Sequence, residues 1–107
     1  MTHLELAVFE RRRLARARAS LAAALAARGS DMARSRTFEL TALAVAVLRD
    51  GDREAGLALG EEAVDLAERV RSVRVLDRLR PLGRAAVETG GRGGRGLAER
   101  VRLAVAG

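Results

Sequence analysis

Apolar residues return every three or four positions along this chain, and nowhere do they settle into the every-second-residue alternation of a half-buried strand. Residues with that spacing share one side of an α-helix, so the chain can hide its apolar surface only by packing helix against helix. Ala, Leu, Arg and Glu fill most positions, residues that lose little on entering a helix, and the β-branched residues are mostly scattered Val. With 49% of residues hydrophobic a core can form, even though 32% are charged. The expected fold is all-α, with about five helices arranged as antiparallel hairpins in a short stack.

Turn signals divide the pattern. Thr2-His3-Leu4-Glu5 has the form of a capping box and predicts a first helix from Leu4 to Ala27, with Leu14, Ala17, Leu21, Ala24 and Leu25 on one stripe. Gly29 is the expected left-handed cap at its end, and Ser30 or Asp31 the cap of a second helix reaching Arg49. That second helix carries Leu40, Leu43, Ala44, Val47 and Leu48, preceded by Phe38. Asp50-Gly51-Asp52 reads as a tight break, followed by a third helix over Arg53–Val70 with Leu59, Ala63, Leu66, Ala67 and Val70 inward. Ser72 then caps a fourth helix with Val75, Leu76, Leu79, Leu82 and Ala86 on its inner face, which Pro81 should kink or split near Arg80. The run Gly90-Gly91-Arg92-Gly93-Gly94-Arg95-Gly96 predicts a flexible linker, and Leu97 to Ala106 a last short helix. The expected organisation is a helical domain over 1–89, a Gly/Arg linker over 90–96 and a terminal helix over 97–107.

Composition narrows the chemistry. The 107 residues, about one domain's worth, include no Cys, and His3 is the one His, so cysteine nucleophiles, disulfides and His/Cys metal sites are excluded. All 20 basic residues are Arg, which leaves no phosphate-binding lysine loop. These exclusions argue against an enzyme and against any cofactor or metal. No stretch approaches the roughly 18 apolar residues of a membrane span. The Ala-rich run after Arg11-Arg12-Arg13 is too short for an export signal, and Glu5 and Glu10 interrupt the basic region before it. The expected location is the cytoplasm.

One stretch carries a family likeness. Leu43-Ala44-x-x-Val47-x-x-x-Gly51-Asp52-x-x-x-Gly56, followed by Ala63, resembles a tetratricopeptide repeat. The usual aromatic positions hold Leu40, Val47 and Gly60, and Glu68 stands near the place of the closing Pro. Over Ala42 to Leu82, the Gly51-Asp52 turn, the Glu61-Glu62-Ala63 run and Arg71-Ser72-x-Arg74 look like the carboxy-terminal helical repeat region of actinobacterial helix-turn-helix transcriptional regulators. The resemblance implies a short tetratricopeptide-like array in which Ala44, Gly56 and Ala63 let two helices cross closely and Gly51 makes the turn. It also implies a non-enzymatic interaction module, the regulatory part of such a regulator.

Charge is distributed in blocks. Residues 1–36 hold eight Arg and three acids, residues 37–71 four Arg and eight acids, and residues 72–107 eight Arg and three acids, giving the net +6. A basic chain attracts phosphate, so a small Arg-rich nucleic-acid-associated protein is the second reading beside the interaction module. The Arg side chains of the first helix mostly lie off its apolar stripe and read first as a solvated face, as do Glu61, Glu62 and Asp65 on the third helix. Arg71, Arg74 and Arg78 step by three and four, a ridge suited to a carboxylate or phosphate or to pairing with Asp77 and Glu68. The candidate interaction residues are Arg71, Arg74 and Arg78, with Leu21 and Leu25 on the first-helix stripe. Expected partners are a protein or peptide, or a second copy making a homo-oligomer.

Overall fold

The computed structural model describes residues 2–107, with side chains described for all of these except residues 18, 21–28 and 30. Five helices and no strand occur among them: α1 (His3–Arg49), α2 (Arg53–Val70), α3 (Val73–Asp77), α4 (Arg80–Thr89) and α5 (Gly91–Ala106). The chain is all-α. No described helix is long and apolar enough to cross a membrane. The chain divides into two units, Met1–Asp31 and Met32–Gly107.

The first unit is helical from His3 onward and opens with the expected capping box. The Thr2 backbone N–H donates to Glu5 Oε2 at 2.7 Å and the Glu5 N–H donates to Thr2 Oγ1 at 3.2 Å, which satisfies two of the orphan donors of the first turn. Leu4, Leu6, Val8, Phe9 and Leu14 are all exposed.

Gly29 does not end the first helix, as the sequence had suggested; α1 runs on to Arg49. Gly29 lacks the positive φ that a left-handed cap needs. One glycine costs a helix only about 1 kcal/mol, and the Ala- and Arg-rich flanks favour continuation. The expected first and second helices are therefore one.

The second unit holds the hydrophobic core seen among the described residues. Leu40, Ala44 and Leu48 of α1, Ala63, Val64 and Ala67 of α2, Val75, Leu79, Leu82, Ala85 and Ala86 of the α3–α4 region, and Leu97 and Val101 of α5 are buried together. Gly51, at φ +94, makes the turn between α1 and α2, and Asp52 Oδ1 accepts the Ala55 N–H at 3.2 Å as the cap of α2. Pro81 does split the expected fourth helix: α3 ends at Asp77 and α4 restarts at Arg80, with Pro81 in its first turn where no N–H is needed. Ser72 stands at the start of α3 in extended backbone, but its side chain makes no capping bond. Leu43, expected on the apolar stripe of the second helix, is exposed.

The Gly/Arg linker expected over 90–96 is instead the first part of α5. Glycine's low helix propensity is overridden here by packing, because the backbones approach where a side chain would not fit. A Cβ on Gly94 would lie 2.6 Å from the carbonyl oxygen of Ala86 in α4, and one on Gly93 would lie 2.7 Å from Leu57 Cδ1 in α2. The joint between α4 and α5 is Gly90 alone, at φ +69. Arg53, at the start of α2, holds that joint: Nη1 donates to the Thr89 carbonyl at 3.0 Å and Nη2 to the Gly90 carbonyl at 2.8 Å. These are two carbonyls at the end of α4, which the helix itself leaves unsatisfied.

Candidate functional site: an arginine-rimmed apolar groove

Phe38, Thr41, Ala42 and Val45 recur at one-, three- and four-residue steps on the carboxy-terminal part of α1 and form one wall of an open groove of about 330 Å³. Arg78, at the end of α3, and Pro81, in the first turn of α4, form the other. The walls are poor in free donors. The Thr41 hydroxyl donates to the Thr37 carbonyl at 2.8 Å, and that of Thr37 donates to Ala33 at 2.8 Å. Pro81 has no N–H to offer.

Arg78 is the charged group of the groove. Its guanidinium carbon sits 5.0 Å from the centre of the Phe38 ring, a cation–π geometry that holds the fork at the groove's edge. It is exposed and forms no ion pair with a described carboxylate. Its neighbour Asp77 is taken by Arg80, whose Nε donates to Asp77 Oδ1 at 2.6 Å. A planar cation stacked on an aromatic face keeps its N–H edges for a carboxylate, while the groove beside it takes apolar surface. Such a site can hold an apolar side chain that has an acidic neighbour.

The other expected positions fall as follows. Gly56 does lie against α1: a Cβ there would come 2.5 Å from Leu48 Cδ2 and 3.0 Å from the Leu48 backbone nitrogen. Ala44 and Ala63 are both fully buried, and Gly51 makes the turn. Arg71, Arg74 and Arg78 do not form one continuous helical ridge. Arg71 caps α2 in the left-handed conformation at φ 53, its N–H donating to the Ala67 carbonyl, and α3 begins afresh at Val73. Arg74 and Arg78 remain four apart, but of the three only Arg78 lines the groove. The side chains of Leu21 and Leu25 lie outside the described residues.

The acidic face of α2 is not simply solvated. Arg100 of α5 donates to Glu61 at 2.5 Å, Asp65 at 2.9 Å and Glu68 at 3.1 Å. The Glu61 hydrogen bond, seconded by those to Asp65 and Glu68, raises the Arg100 pKa well above its ordinary value. This cluster is a structural tie between α2 and α5. The signal for it was present in the spacing of Glu61, Asp65 and Glu68, which step by four and three along one face of an acidic segment, ahead of a basic one. On α5 itself Arg102 donates to Glu99, and this hydrogen bond holds the exposed Glu99 carboxyl below its usual range.

No family model matches the chain, and no curated protein or solved structure matches it.

Proposed function

We propose that the chain is a non-enzymatic protein-interaction module of the tetratricopeptide-like kind, whose groove between α1 and the α3–α4 joint receives a peptide. An apolar side chain of the partner lies against Phe38, Ala42, Val45 and Pro81, and an adjacent carboxylate pairs with Arg78. The observation that carries this reading is the stacking of Arg78 on Phe38 at the edge of an apolar groove, with Asp77 engaged elsewhere. The Gly51-Asp52 turn and the close approach of Gly56 to Leu48 support the tetratricopeptide-like reading of α1 and α2. Together with the sequence resemblance, they support reading the module as the regulatory part of a transcriptional regulator.

The test is calorimetric titration with short peptides that pair Leu or Phe with Asp or Glu. Binding is expected, weakened about fivefold to tenfold by Arg78→Gln and by Phe38→Ala, each an effect of about 1–1.4 kcal/mol. Peptides whose acids are replaced by amides should bind the parent chain as weakly as the acidic ones bind Arg78→Gln. Equal affinity for the acidic and amide peptides would overturn the role of Arg78. Affinity unchanged in both variants would overturn the groove.

A further inference from the structure

The amino-terminal unit carries a charge feature that the groove does not use. Between Arg11 and Ser30 the chain has six Arg and neither Asp nor Glu. Arg11, Arg12, Arg13 and Arg16 are exposed on α1, and none forms an ion pair with a described carboxylate. The nearest acid on the amino-terminal side besides Glu10 is Glu5, which is engaged in the capping box. Four guanidinium groups within six residues of one helix, set against the single adjacent acid Glu10, form a concentrated cationic surface.

The way these groups are distributed selects the ligand. Each helical residue turns by about 100°, so Arg11, Arg12 and Arg13 fan over about 200° of the helix, and Arg16 falls between Arg12 and Arg13. A flat anionic surface meets only one side of such a helix. A groove with phosphates along both walls meets both. The major groove of B-form DNA is about 12 Å wide, and an α-helix with its side chains is about 10–12 Å across. A lipid surface requires the apolar residues gathered on one face. Here exposed Leu6 and Phe9 lie on the arginine side, beside Arg12 and Arg13, while exposed Leu4, Val8 and Leu14 lie elsewhere around the helix, so no single face gathers the apolar residues. Single strands are held largely by aromatic stacking, and this stretch offers one aromatic ring, Phe9.

We infer that residues Arg11–Arg16 of α1 form a phosphate-contacting surface for duplex DNA, lying in the major groove and binding without sequence preference. Arg-to-phosphate contacts displace condensed counterions, so the affinity carries a defined salt dependence. Four such contacts predict a slope of log affinity against log salt of about −3.6.

The experiment is fluorescence anisotropy of the full chain with a labelled mixed-sequence duplex of about 20 base pairs, from about 50 mM to about 300 mM salt. Binding indifferent to sequence is expected, with the slope given above. The triple variant Arg12→Gln, Arg13→Gln, Arg16→Gln should flatten that slope by about 2.7 and keep its helical circular dichroism, since Gln is a good helix former. The double variant Arg92→Gln, Arg95→Gln, which removes the same kind of charge from α5, should leave the slope in place. Absence of duplex binding at the lowest salt would overturn the inference. So would an unchanged slope in the triple variant, or a slope flattened more by the α5 variant. Vesicles of phosphatidylserine and phosphatidylcholine serve as the second ligand. If they bind through the same three arginines more tightly than the duplex does, the surface is a lipid-binding one and the inference falls.

Discussion

Two glycines two residues apart on α5 pose opposite problems for a side chain. A Cβ on Gly94 would meet the backbone oxygen of Ala86, which cannot move without moving α4, whereas around Gly96 nothing lies within 4 Å. Gly94→Ala is therefore expected to destabilise by about 1–3 kcal/mol despite the better helix propensity of Ala. Gly96→Ala, with nothing to displace, should stabilise by about 0.5–1 kcal/mol. Urea unfolding midpoints of the two variants measure both, and a stable Gly94→Ala would remove the close α4–α5 approach. Ala63, fully buried in α2, should behave like Gly94: Ala63→Leu is expected to cost about 1–3 kcal/mol through overpacking. These tight sites were only partly legible from residue types. The likeness to a helix-crossing motif pointed to Gly56 and Ala63. For Gly93 and Gly94 composition pointed the wrong way, since a glycine run reads as flexible until a second helix is laid against it.

At the scale of the helices, most of the pattern was present in the spacing. The Thr2 box, the Asp52 cap, the Gly51 turn and the break before Pro81 are local chemistry, and each stands where the residues placed it. Two misreadings, at Gly29 and at 90–96, both asked a local signal to decide a question settled elsewhere. Gly29 could have capped a helix but its backbone remained helical, and α5 begins at Gly91 because α2 and α4 lie beside it. If α5 is helical from its first residue, the amides from Arg95 onward are hydrogen-bonded, and trypsin should cut after Arg92 and Arg95 only as slowly as it cuts within α4. Rapid cleavage at those two positions in the native chain would return them to a linker. The groove was half legible: Arg78 was marked by its spacing, but the partner ring Phe38 is forty residues away and only the fold joins them. The tie between α2 and α5 makes a demand on geometry as well as charge. Arg100→Lys keeps the cation but not the fork that reaches three carboxylates, and it should lower stability by about 1 kcal/mol. Because the Arg100 pKa is raised, its stabilising charge is fully present below the ordinary arginine value and is lost only in strong alkali, so its contribution is flat near neutral pH. Glu99 has the opposite sign: its lowered value gives a small stabilisation above the ordinary carboxyl range that fades as the solution is acidified.

Among the described residues, every member of the buried hydrophobic core lies between Leu40 and Val101. A fragment of residues 32–107 is therefore expected to fold alone, with a melting temperature within a few degrees of that of the full chain, about 1 kcal/mol or less in stability. Loss of cooperative melting in that fragment would show that the core depends on residues before Met32. The Arg53 fork has a consequence of another kind, in time. It joins the first residue of α2 to carbonyls 36 and 37 positions later, and so closes a long loop. Bringing such ends together in an unfolded chain costs about 3 kcal/mol of entropy, which two exposed hydrogen bonds of about 0.5–1.5 kcal/mol each do not exceed. The fork can form only after α2, α3 and α4 have already been brought together, late on the way to the native state. Arg53→Ala should leave the refolding rate unchanged and speed unfolding, so that the clasp governs how long the molecule stays folded and has no part in how quickly it gets there.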